Sequence, residues 1–205
     1  MAATDVRLFV GRVKRRPELL HDLLAALSST TAADRLGAAR SLRTLSEAAP
    51  ELLYSHFDFL AGLLRHRNSI LRWNAMLALG NLARVDSEGR LDRMLDAYLA
   101  PITGRSLIDA ANTMRGATAA ALAKPHLAEL VARRVLEVEH AVYATPECRN
   151  VAIGHALECL GRLLPLLADT AAVQEFARRQ LANTRPATRR KAERFLARRA
   201  RAVSA

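Results

Sequence analysis

One spaced set of residues recurs along this chain and constrains its fold more than any other feature. Arg35 to Leu45 and Arg72 to Leu82 both read R-x-x-A, then a small or apolar residue, then small-Leu-x-x-Leu. Arg149 with Ala152 repeats the opening, as does Arg189 with Ala192 and Leu196. The Arg residues lie 37, 77 and 40 apart. The longest gap holds two units, and Ile108 to Met114 fills the missing one without its Arg. A period of 37–40 residues is that of a two-helix repeat. One helix pair cannot bury its own apolar face, so neighbouring pairs must stack on each other. Small residues at Ala38, Ala75, Ala111 and Ala152 are expected to let the second helices approach closely.

The periodicity supports helices throughout. Apolar residues recur at i, i+3, i+4 and i+7, and aromatics are only 4% of the 205 residues. Prolines at 17, 50, 125, 146 and 186 precede or open periodic stretches, where the missing N–H costs nothing. The helix pairs are expected at 17–28/32–48, 51–66/69–85, 88–102/105–123, 126–143/147–164 and 168–182/186–202. A short helix over 4–14, with Val6, Phe9, Val10 and Val13 on one side, caps the first pair. A basic helix over 186–202, with Ala192, Phe195, Leu196, Arg199 and Val203 on its inner stripe, caps the last. Residues 1–205 are read as a single repeat domain.

The second helices resemble those of the HEAT-repeat family of the armadillo-like superhelix. The signature V-R-x-x-A-A-x-A-L-G-x-L is matched by Leu71, Arg72, Ala75, Met76, Ala78, Leu79, Gly80 and Leu82. Arg35, Ala38, Ala39, Ser41, Leu42 and Leu45 match it in the first unit. The resemblance covers nearly the whole chain and is specific in those two units. It implies an all-α, right-handed α-α solenoid of about five HEAT-like helix pairs. That architecture serves as scaffold, peptide binder and nucleic-acid binder alike, so it does not assign a function.

Several function classes are excluded or left without support. No apolar run reaches about 18 residues, so no spanning helix is expected. Arg7, Arg12 and Lys14 interrupt the N-terminal apolar residues, unlike a secretory signal. Two cysteines without an export signal suggest a reducing compartment, the cytoplasm. No nucleophile elbow, phosphate-binding loop, dinucleotide fingerprint or zinc-protease motif occurs. The reading is therefore not an enzyme, with no catalytic residues and no cofactor. Cys148, His155 and Cys159 fall on one side of a helix and are candidate soft-metal ligands. They share that stripe with Ala152, so core packing is the better reading and no metal site is expected.

Two surfaces are candidates for binding. Asn74, Asn112 and Asn150 are 38 apart, which places them at one position in successive second helices. Asn81 lies on the same flank, in a stretch (Ala78 to Ala83) resembling the asparagine ladder of armadillo peptide binders. With Arg72, Trp73 and Arg149 they define a hypothetical concave face for a protein or peptide. The alternative is that the asparagines bridge repeats or satisfy local backbone, and that Trp73 packs between units. The second surface follows the charge. The net charge is +11, and residues 169–205 carry ten Lys or Arg against three Asp or Glu. Arg185, Arg189, Arg190, Lys191 and Arg194 would bind nucleic acid through phosphates. The bland alternative is a solvated cap on the last repeat. HEAT-like alkylpurine glycosylases need a groove acid and aromatics, and Trp73 alone meets that requirement poorly.

Overall fold

In a computed structural model, the backbone is described for residues 3–203 and the side chains for residues 8–197. Among the described residues there are twelve α-helices and no strand. The side chains of Val6, Arg199 and Val203, placed on the capping stripes above, lie outside that range. The chain packs as two compact units, Met1–Met94 and Leu95–Ala205.

The first unit contains α1 (Ala3–Arg15), α2 (Glu18–Ala26), α3 (Ala32–Ala48), α4 (Phe57–Leu63), α5 (Ser69–Leu82) and α6 (Arg90–Arg93). The second helices α3 and α5 lie side by side; α1 and α2 pack on α3, and α4 packs on α5. Leu42, Leu45, Phe57, Leu60, Leu71 and Leu79 are fully buried between them.

The second unit contains α7 (Leu95–Leu99), α8 (Leu107–Ala123), α9 (Ala128–Leu136), α10 (Pro146–Leu163), α11 (Ala171–Arg179) and α12 (Pro186–Val203). Helices α8, α10 and α12 form one row, with α10 between the others. Helix α9 packs on α8 and α10, and α11 packs on α12 and α9. Two layers result, long second helices in one and shorter first helices in the other.

The long helices run close to their expected ranges, but the first helices are broken. Single 3-10 turns at Pro50–Leu52 and Tyr54–His56 precede α4. Others flank α9 at Pro125–Leu127 and Glu137–Glu139, and follow α7 and α11 at Ala100–Thr103 and Gln180–Ala182. The difference lies in the caps. Asn68, Ser106 and Thr145 accept backbone N–H groups at the starts of α5, α8 and α10. The first helices have no side-chain cap at Pro17, Ala49, Lys124 or Thr170. Their orphan N–H groups instead close short i to i+3 turns, as Leu53 does onto the Pro50 carbonyl at 3.0 Å. Gly89, at φ 65°, makes the left-handed turn that starts α6.

Counting from each helix start fixes the repeat register. The fourth residues of α3, α5, α8, α10 and α12 are Arg35, Arg72, Ala110, Arg149 and Arg189. The seventh are Ala38, Ala75, Thr113, Ala152 and Ala192. This corrects two expectations. Ala110 and Thr113 are fully buried, whereas Ala111 is half-buried and does not take the place of Ala75. Asn74 and Asn112 are sixth in their helices but Asn150 is fifth. A step of one residue turns a helix by about 100°, so the shared spacing of 38 does not put all three on one row.

Within each unit, hydrogen bonds between neighbouring helix pairs span nearly one period. Asn81 donates to Ser46 Oγ, 35 residues away, and Arg84 to the Ser46 carbonyl, 38 away. Thr188 donates to the Asn150 carbonyl, also 38 away. Gly154 permits that approach of α10 and α12, because a Cβ there would stand 3.2 Å from Thr188 Oγ1.

Candidate functional site

The repeated arginine is a loop clamp. Arg35 Nη1 donates to the Ser29 carbonyl at 2.6 Å, six residues back. Arg72 Nη1 does the same to His66 at 2.9 Å, and Arg189 Nη1 to Asn183 at 3.0 Å. Each ties its helix start to the turn that leads into it. Arg149 holds the same position in α10 and is exposed. A charged donor to a carbonyl is worth roughly 1.5–3 kcal/mol, so each clamp stabilises its turn.

The asparagines are engaged in two ways. Asn74 Nδ2 donates to the Ile70 carbonyl at 2.8 Å, and Asn112 Nδ2 to Ile108 at 2.9 Å. Asn74 is buried. Asn81 ties α5 to α3 through Ser46, and Asn150 ties α10 to Thr184 at 3.0 Å. Trp73 is half-buried at the start of α5. Arg149 and Asn150 line a hollow of about 490 Å³ with Glu139 and Arg179. Glu139 is engaged there by Arg179 at 2.8 Å and Gln180 at 2.6 Å.

The larger feature is a groove of about 620 Å³ along the row α8, α10, α12. Its apolar lining includes Met114, Leu157, Leu164 and Phe195, with Thr118 and Cys159 among them. Arg115 from α8, Arg162 from α10 and Arg194 from α12 also line it, and all three are exposed. Among the described residues no carboxylate forms an ion pair with any of the three. Lys191 pairs with Glu158 at 2.8 Å, and Asn112 also lines the groove. Four cations and one anion therefore surround a mainly apolar surface.

Two titratable groups of the groove are shifted from their ordinary values. Burial pushes the Cys159 thiol up to about 11, so it stays protonated at neutral pH. Its Sγ lies 2.9 Å from Thr118 Oγ1, which donates to the Met114 carbonyl at 2.7 Å. Burial, with Lys191 nearby, holds His155 below its ordinary value against the opposing pull of Glu158. Cys148 sits half-buried at the start of α10, near neither of them in the helix. Among the described residues no cluster of three or more His, Cys, Asp or Glu could hold a metal ion.

The C-terminal basic series divides by role. Arg185 pairs with Glu147, and Arg189 clamps its loop. Arg190 is exposed, and Arg194 Nε donates to its carbonyl at 3.2 Å. Only Lys191 and Arg194 of the five reach the groove. Arg115 and Arg162 escape a motif-based reading because they belong to no repeat signature. The one sequence signal for them is their placement in the register of the second helices.

No family model, curated protein or solved structure matches this chain. Among the described residues no helix is long and apolar enough to cross a membrane.

Proposed function

We propose that this protein is a non-catalytic binding module that holds a protein or peptide partner on the surface of its second helices. The observation that carries the reading is the groove along α8, α10 and α12, with exposed cations around an apolar lining. A surface of that kind suits a partner better than a reaction, since its thiol is protonated and no activated nucleophile faces it. On this reading the repeat of 37–40 residues continues through both units as a right-handed α-solenoid of HEAT type. Arg72, Trp73 and Asn81 then extend the binding face of the first unit, and the free cysteines suit the cytoplasm.

The test compares the full chain with a Gly161→Trp variant. Gly161 is exposed on α10 and faces Phe195, so a large side chain there fills the groove. Both proteins are used as bait in nuclease-treated lysate of the native host. Proteins retained by the first and lost by the second support the module. Retention of nothing after nuclease treatment overturns it. Oligonucleotides captured by Arg190, Lys191 and Arg194 in the untreated half would favour nucleic acid instead.

A further inference from the structure

We infer that the groove of the second unit takes an acidic peptide segment, whose carboxylates meet Arg115, Arg162 and Arg194. The inference rests on the binding-module reading and names the chemistry of the partner. It begins with charge. Three guanidinium groups are exposed at the groove with no carboxylate paired to them among the described residues, in contrast to Arg185 with Glu147, Arg179 with Glu139 and Arg178 with Glu175. An arginine fork recognises a carboxylate through two parallel N–H donors, so each unmatched guanidinium is a ready receptor.

The placement of the three cations selects the size of the occupant. They come from three different helices of one row. Packed helices lie about 8–10 Å apart, so the row from α8 to α12 spans roughly 16–20 Å. An occupant that engages all three must cross the row. An extended peptide covers that span in about five or six residues, at roughly 3.3 Å each. Nucleic acid fits less well. Bases need aromatic platforms, and Phe195, the aromatic of this groove, is 6% exposed.

The test selects ligands from a phage-displayed library of random 12-residue peptides, using the nuclease-treated full chain. Selected sequences are synthesised and titrated by fluorescence polarisation. The expected result is enrichment of Asp and Glu. The best peptides should bind at least tenfold more weakly to an Arg115→Ala/Arg162→Ala/Arg194→Ala variant, and to Gly161→Trp, with the helical circular dichroism of both unchanged. Replacing the peptide's acids by Gln should have a similar effect. Selected peptides without acidic enrichment, or binding that neither variant weakens, overturn the inference while leaving the module reading in place. Selection of no peptide, with a dT20 oligonucleotide binding the groove instead, overturns it in favour of phosphate. Failure of the module itself is read separately, as loss of all protein retention from lysate.

Discussion

Asp86 makes the sharpest stability prediction. It is 4% exposed and holds at least three partners with one carboxylate. Oδ1 accepts from Tyr54 Oη at 2.7 Å and from the Arg90 N–H at 2.8 Å; Oδ2 accepts from the Leu91 N–H at 3.0 Å. Arg90 in turn lies over the Tyr54 ring, 5.2 Å from its centroid. The carboxylate thus joins the start of α6 to the 3-10 turns before α4. Truncation in Asp86→Ala leaves three donors to find new partners. Tyr54 and Arg90 are half-buried and can turn to water, for a net loss of about 1 kcal/mol each. The Leu91 N–H bond is buried, and leaving it unmade costs about 2 kcal/mol. The expected total is about 4 kcal/mol, a large part of the 5–15 kcal/mol typical of a domain. Asp86→Asn keeps the shape but turns an amide toward one donor, and should cost about half as much. Trp73, the single tryptophan, lies in the first unit, so its fluorescence in urea follows that unit. A loss below about 1 kcal/mol for Asp86→Ala would refute the view that this carboxylate organises the turn.

Three further outcomes are expected. Gly37 is exposed in α3, and a Cβ there meets nothing within 4 Å, so Gly37→Ala should raise stability by about 0.5–1 kcal/mol in urea melts. Gly154→Ala gains the same helix propensity but drives a methyl to 3.2 Å from Thr188 Oγ1 and 3.4 Å from Lys191 Nζ, so it should lose about 1 kcal/mol net. Burial pushes the Tyr143 phenol up to about 12 from its ordinary 10, and its hydroxyl donates to the Ile102 carbonyl. The unfolded chain therefore releases this proton first, and stability present below pH 10 is lost as pH rises toward about 12. Tyr143→Phe should flatten that part of an alkaline unfolding curve followed by circular dichroism.

What the sequence made legible was whatever local chemistry decides. Three second helices carry both an apolar stripe and a capping side chain, so Asn68, Ser106 and Thr145 mark the starts of α5, α8 and α10. A hydrophobic pattern alone does not reveal that the first helices tighten into 3-10 turns at their ends. In the third pair no Arg marks the register, so Ala111 stands out in the sequence although Ala110 and Thr113 are the packed positions. In the fourth, α10 starts 39 residues after α8, against 38 between α5 and α8, and that one residue moves Asn150 off the asparagine row. The groove was not legible at all. Arg115, Arg162 and Arg194 are 47 and 32 residues apart and meet only because α8, α10 and α12 form one row.

That contrast bears on where function lies in a repeated chain. A position that recurs in every unit answers a need that every unit has, which is to close its loop and pack its neighbour. The recurring Arg at Arg35, Arg72 and Arg189 does so, and the seventh-position Ala does the same for packing. A surface for one particular partner must instead differ from unit to unit. The ninth residues of the long helices are Arg40, Leu77, Arg115, Gly154 and Arg194, cationic in three units and uncharged in two. The seventeenth residue is Arg162 in α10 but Ala48 in α3 and Ala123 in α8. The groove cations therefore occupy positions that stacking leaves open. Replacing them should leave the fold intact and change only what the protein holds, whereas replacing Arg72 or Arg189 should loosen the turn before its helix.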